Sequence, residues 1–218
     1  MSIEKVYRLL AEAYGPRGWW PLVRRRGGKP EYFTPVTSER QRFEVAAGAV
    51  LTQNTAWRNA SLAVSALSGA GLLDPRAMAR APAGEVARLI RPAGYYNQKA
   101  RRLVGLGGFF AEGRFEGRDS LLSLEGIGPE TADSIMLYAY GEPFFVVDAY
   151  TRRIFGRLGL LEGFTAYEGI RERFEGVLGP DAALYGEYHA LIVELGKRCC
   201  RKAPLCEGCP LNDICPSA

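Results

Sequence analysis

Five cysteines fall between positions 199 and 215 of this 218-residue chain, and the rest of the sequence has none. From Cys206 the spacing is C-x2-C-x5-C, with Cys200 six residues before Cys206 and Cys199 seven. In a cytosolic protein, thiols at this density point to metal rather than to disulfides. Four thiolates suit tetrahedral zinc or a [4Fe–4S] cluster, and zinc ribbons normally carry two C-x2-C pairs where this tail has one. A second chemistry lies at Gly126-Ile127-Gly128-Pro129. Glycine allows the positive φ of a tight turn and close backbone approach, and proline suits the first position of the helix that follows. A turn that opens a helix in this way aims N–H groups outward beside a positive helix end, where a phosphate can bind. A third group is Asp148, whose place before Ala149 suits a helix N-cap and would fix the direction of its carboxylate. Trp19-Trp20-Pro21 and Trp57 read on composition as core or partly buried anchors. His189 is the only histidine and has no partner in its own string, so it reads as structural.

The elements that must position these groups are helical. Residues 4–14 carry Val6, Leu9, Leu10 and Ala13 on one stripe. Ser38 and Gln41 open a helix with a capping box, which runs through Phe43, Val45, Ala46, Ala49, Val50 and Leu51 to the polar tip Thr52-Gln53-Asn54-Thr55. A further helix follows Trp57. Pro75 and Pro82 punctuate short helices, and the stretch from Gly94 to Ala100 leads into another that ends near Phe110. Residues 130–140 have a helical period and stop at Gly141-Glu142-Pro143. Three more helices are expected at 150–158, 167–178 and 181–195. The basic, glycine-rich and proline-bounded stretch 24–35 reads as a surface loop. The chain is long enough for one sizeable core or two small ones. Lys and Arg exceed Asp and Glu by 28 − 24 = 4, a mild excess gathered at Arg24-Arg25-Arg26, Arg152-Arg153, Lys197-Arg198 and Arg201-Lys202. Such clusters suit a polyanion, though solvated faces look the same. No apolar run approaches the ~20 residues of a membrane span, and the charged, amphipathic N-terminus is unlike a signal peptide. A soluble cytoplasmic protein without a membrane partner is expected.

Taken together, L-x-G-I-G-x-x-T-A followed by V-V-D-x-x-T-R-R closely resembles the helix-hairpin-helix and aspartate signature of the endonuclease III group of DNA glycosylases. The strings F-E-V-x-x-G-A-V-L-T-Q-N-T-x-W and G-x-Y-N-x-K-A resemble the same family, the second as a segment packed behind the hairpin. The tail is similar to that family's C-x6-C-x2-C-x5-C, which surrounds a [4Fe–4S] cluster. The resemblance implies cluster ligands Cys200, Cys206, Cys209 and Cys215. Cys199 is the alternative first ligand: it keeps the x6 spacing, while Cys200 keeps the family's distance from the helix-ending Gly196. Trp19-Trp20-Pro21, with an aromatic after Q-N-T-x, is similar to the 3-methyladenine DNA glycosylase branch.

The fold this implies is all-α with two domains. A six-helix barrel over 38–142 carries the hairpin, and residues 1–37 with 143–218 form a second helical domain ending in the cluster loop. The partner implied is double-stranded DNA with a damaged nucleotide flipped out, bound by a monomer. Gly126, Gly128 and Thr131 of the hairpin and Arg152 would contact DNA, and Gln53 would enter the gap left by the extruded base. Asp148 would work at the sugar. Trp19, Trp20 and Trp57 would cage the base. A base methylated at a ring nitrogen is cationic and leaves readily, so a π-rich cage and one carboxylate suffice. Relatives that also cut the backbone carry a lysine two residues after the second hairpin glycine, and here Glu130 stands there. Base excision without strand cleavage is therefore expected. A bifunctional glycosylase/AP lyase and a non-catalytic hairpin DNA-binding protein are the alternatives. Lys99, the only lysine between Lys29 and Lys197, reads as structural or phosphate-facing, and it and the N-terminus are the amines to test if a lyase step appears.

Overall fold

A computed structural model describes all 218 residues. It contains eleven α-helices and one antiparallel ribbon of two-residue strands, Leu22–Val23 with Pro30–Glu31. The chain divides into two compact units, Trp20–Tyr140 and Met1–Trp19 with Gly141–Ala218. Residues 20–37 thus pack with the barrel helices and not with the second domain, where the sequence reading put them. Two contacts explain the difference. The Val23 N–H donates to Glu44 Oε1 at 2.5 Å, and the Gly27 N–H donates to Ser68 Oγ at 3.1 Å.

The continuous unit is built around α2 (Glu39–Thr52), in which nine successive residues from Phe43 to Leu51 are buried. A helix apolar on all sides belongs in the middle of its unit. Around it lie α3 (Trp57–Ala70), α6 (Tyr96–Ala111) and α8 (Pro129–Ile135), with the short helices α4 (Pro75–Arg80), α5 (Ala83–Leu89) and α7 (Arg118–Leu122) completing the unit. Ser38 caps α2 by accepting from the Gln41 N–H, and the Gln41 side chain reaches back to the Thr37 N–H at 2.8 Å. The helix expected over 130–140 is α only to Ile135 and continues as one π-turn, Met136–Tyr140. Widening a helix in this way shifts the side chains that follow it.

The second unit joins α1 (Ile3–Tyr14) to α9 (Ala149–Arg157), α10 (Tyr167–Leu178) and α11 (Ala182–Arg198). Ile3, Val6 and Leu10 are the buried stripe of α1, which packs on α10 and α11. Its core is aromatic: Phe145 stacks on Phe174 with centroids 4.2 Å apart, and Phe155, Tyr185 and Tyr188 pack edge-on around them. The Tyr188 hydroxyl donates to Ile3 O at 2.7 Å and ties α11 to the start of the chain.

Candidate active site

Asp148 stands where an apolar segment meets a helix. Phe145, Val146 and Val147 are buried, and the Phe145 N–H donates to Glu175 Oε1 of α10 at 2.9 Å. Asp148 then caps α9 with extended backbone, and its Oδ1 accepts from the Thr151 N–H at 2.7 Å and the Thr151 hydroxyl at 2.9 Å. A cap of this type stabilises a helix by about 1 kcal/mol. The carboxylate is only 9% exposed. Its other oxygen, Oδ2, lies 3.7 Å from His189 Nε2. Burial pushes the Asp148 carboxyl up, but His189 and the two Thr151 donors outweigh it and leave the pKa below the usual aspartate value.

The sequence reading left His189 as a structural residue and so missed this contact. Its cause is packing elsewhere on α11, at Gly196. A Cβ there would stand 2.1 Å from the Tyr150 ring, so the glycine lets α9 lie close against α11. The burial stripe of α11 then brings His189 to the N-cap of α9.

Lys197 follows Gly196, and its ammonium is electrostatically coupled to Asp148. Partial burial lowers the Lys197 pKa, and the same ammonium lies 5.7 Å from the Trp19 ring centroid. Arg17 anchors the segment before Trp19 to α11, its N–H donating to Glu187 Oε1 at 2.6 Å and its guanidinium pairing with Glu194 at 3.3 Å. The three tryptophans thus belong to two units. Trp19 stands in the discontinuous unit beside a lysine, while Trp20 and Trp57 meet edge-to-face in the other unit with centroids 5.7 Å apart. Trp20 is 7% exposed, fits against Gly48 of α2 and touches Tyr138 from the π-turn at 5.3 Å. Trp57, half-buried at the start of α3, has Trp20 behind it. Tyr138 was not expected here, because a regular α-helix over 130–140 would have aimed it differently.

The hairpin lies in the continuous unit. Gly126 has φ 79° and Gly128 is the exposed N-cap of α8. Gln53, at the tip of α2, is not loose: its Nε2 donates to Gly126 O and to Thr131 Oγ1, both at 2.9 Å. Arg102 of α6 donates to Gln53 Oε1 at 2.9 Å, and its guanidinium fills the space where a Cβ on residue 126 would stand. The α6 segment thus packs behind the hairpin through Arg102. Lys99 is not phosphate-facing. It is 1% exposed and donates to Leu51 O at 2.8 Å, at the end of α2, and to Ala93 O at 2.9 Å, just before α6. Arg152 is partly exposed and donates to Thr165 O at 2.8 Å.

All five cysteines are free and half-buried, and they line one pocket with Ile154, Leu158, Leu195 and Leu211. Two arginines of α9 hold its rim. Arg153 donates to Cys200 O at 2.8 Å, and Arg157 donates to Cys200 Sγ at 3.2 Å and to Arg201 O at 2.7 Å. The Tyr14 hydroxyl lies 3.8 Å from Cys199 Sγ. Burial raises the Cys209 thiol, and the neighbouring cysteines add to the shift. Nowhere do three or more His, Cys, Asp or Glu side chains gather as they would around a single metal ion.

Residues 47–180 match the family model described as HhH-GPD superfamily base excision DNA repair protein. The chain belongs to the HhH-GPD superfamily. It is an endonuclease III-like DNA glycosylase. A putative DNA repair glycosylase of Methanocaldococcus jannaschii is 41% identical over 99% of this chain and 96% of its own length. Endonuclease III of Thermotoga maritima is 32% identical, covering 81% of this chain and 84% of the relative. Among solved structures, Helicobacter pylori 3-methyladenine DNA glycosylase bound to 1,N6-ethenoadenine superposes with a TM-score of 0.72 at 26% identity, over 89% of this chain and 96% of that one. A non-covalent endonuclease III–DNA complex superposes with a TM-score of 0.80 at 21% identity, over 99% and 94%. The helical HhH-GPD fold expected from the motifs is therefore the fold observed.

Proposed function

We propose that this glycosylase excises alkylated purines, of the 3-methyladenine and 7-methylguanine kind, from duplex DNA by hydrolysis and leaves the abasic strand intact. The observation that carries the reading is the Asp148 carboxylate. It is held ionised at a helix N-cap with one oxygen spent on Thr151 and the other outside that cap. An anion so placed stabilises positive charge developing on the sugar as the base departs. A ring-methylated purine is already cationic, so the base side needs aromatic contact more than an acid. Trp57 supplies it, backed by Trp20 and Tyr138, with Trp19 as the third candidate. A desolvated cation–π contact contributes about 2 kcal/mol. The Helicobacter pylori relative, named for 3-methyladenine and bound to a modified adenine, supports the substrate class. Gly126, Gly128, Thr131 and Arg152 would hold DNA phosphates, and Gln53 would fill the gap, where extrusion of a base costs a few kcal/mol.

The chemistry of the cysteine pocket supports a [4Fe–4S] cluster there. Its donors are all thiols and its walls are largely apolar. Cys200, Cys206, Cys209 and Cys215 would hold it, with Cys199 as the alternative to Cys200. A bound cluster would supply cross-linking of the terminal loop to the end of α11. The protein itself contributes Arg153 and Arg157, which pin that loop.

A second reading has one observation behind it. A lyase step needs a neutral amine near the sugar, and Lys197 is an amine of lowered pKa coupled to Asp148. Lys99 is excluded from that role by its two buried carbonyl partners. The deciding experiment presents purified protein with duplexes bearing single defined lesions. We expect release of 7-methylguanine and 3-methyladenine with strand breakage only after alkali and no adduct trapped by borohydride. Strand cleavage and trapping at the rate of base release, abolished in Lys197→Met, would establish the lyase instead.

A further inference from the structure

We propose that His189 is a positioning residue for the working oxygen of Asp148. The proposal rests on the reading of Asp148 as the carboxylate that faces the sugar. The two carboxylate oxygens are not equivalent. Oδ1 receives both Thr151 donors, so its direction is set by the cap. Oδ2 lies outside the cap, and His189 Nε2 faces it at 3.7 Å. That separation exceeds a hydrogen bond and leaves the imidazole facing this oxygen. A carboxylate anchored at one oxygen still has freedom to rotate its other end, and a glycosidic transition state needs that end placed to within a fraction of an ångström.

His189 can supply this restraint because it is itself fixed. It is 8% exposed, between Tyr188, which is tied to Ile3, and Ala190 on the buried side of α11. A further charge near Asp148 is on the same helix. Lys197 couples to Asp148, and Glu194 and Arg17 stand beside Lys197. Lys197 keeps solvent access, whereas the imidazole does not, so the imidazole is the rigid partner. The role assigned to His189 is exerted through Asp148, whose Oδ2 its Nε2 faces.

The test is a double-mutant cycle in single-turnover base release from a 7-methylguanine duplex, with Asp148→Asn, His189→Gln, His189→Leu and the pairs. His189→Gln keeps a polar end and serves if the leucine variant folds poorly, each variant being checked by circular dichroism melting. If His189 acts through Asp148, His189→Leu lowers the rate by about 10–100-fold, with His189→Gln in between and duplex affinity unchanged within about threefold. In the Asp148→Asn background, either change at 189 then costs less than about twofold, because residues acting as one unit are not additive. Wild-type rates in both His189 variants would overturn the proposal, as would full multiplicative losses in the Asp148→Asn background. A nearly active Asp148→Asn would instead overturn the reading of Asp148 itself, so the two failures are distinguishable.

Discussion

Trp20 and Trp57 are two residues of one aromatic pair, yet they carry different loads. Trp20 is buried against Gly48 and Tyr138, so Trp20→Ala leaves a large cavity in the continuous unit. We expect a loss of about 3–5 kcal/mol, read as a lower urea midpoint with unchanged slope. Trp57 is half-buried, and Trp57→Ala should cost about 1 kcal/mol or less in stability. If Trp57 faces the extruded base, its loss should weaken excision of cationic 7-methylguanine by about 10-fold or more while neutral lesions lose little, since the cation–π contribution is specific to charge. Equal losses on both substrates would remove the cation argument and leave Trp57 as a packing residue. At this scale the sequence was informative wherever chemistry is local. Asp148 is legible as an N-cap from its own neighbours. His189 is not, because what brings it to Asp148 is a missing side chain at Gly196, and nothing in the string Glu187-Tyr188-His189-Ala190 reports on that.

Among the elements, α2 is the one whose burial has a measurable price in protons. Glu44 sits in its first buried turn at 1% exposure, with Oε1 bonded to the Val23 N–H and Oε2 without a partner. Burial raises its pKa from 4.5 to about 7, against the opposing pull of Val23 and Arg40. Below pH 4.5 the folded and unfolded chains both hold this proton, and the contribution to stability is full. Between 4.5 and about 7 the unfolded chain releases a proton that the folded one keeps, so stability falls as pH rises. Above about 7 the loss is complete, amounting to roughly 3 kcal/mol. Glu44→Gln should match wild type near pH 4 and exceed it at pH 8, measured by urea unfolding across that range. Parallel curves would show that Glu44 is ionised in the folded protein. Most elements follow the sequence closely: α10 spans Tyr167–Leu178 as its period indicates, and Ser38, Asp148 and Asp181 cap the helices they precede. The π-turn at Met136–Tyr140 was not legible, since the apolar pattern of 130–140 suits a regular α-helix equally well. The Leu22–Val23 and Pro30–Glu31 ribbon is too short to register as alternation.

For the whole molecule, the cysteine tail and the order of the chain matter most. If the tail holds a [4Fe–4S] cluster, protein purified without oxygen should be brown and contain roughly four irons per chain. Stoichiometric zinc without iron would replace that reading. Cys199→Ser and Cys200→Ser should differ, the spare residue keeping iron and the ligand losing it. Chain order has a separate consequence during synthesis. Helix α1 is made well before the helices that cover Ile3, Val6 and Leu10, which begin at Tyr167 and Ala182. At ~5–20 residues per second, that apolar stripe emerges roughly 8–30 s before any of its partners exists. Meanwhile the continuous unit can complete its own core. Between completion of Tyr140 and the start of α10 at Tyr167 the nascent chain therefore carries a finished domain beside one sticky, unfinished helix, the state in which a ribosome-bound chaperone would find it.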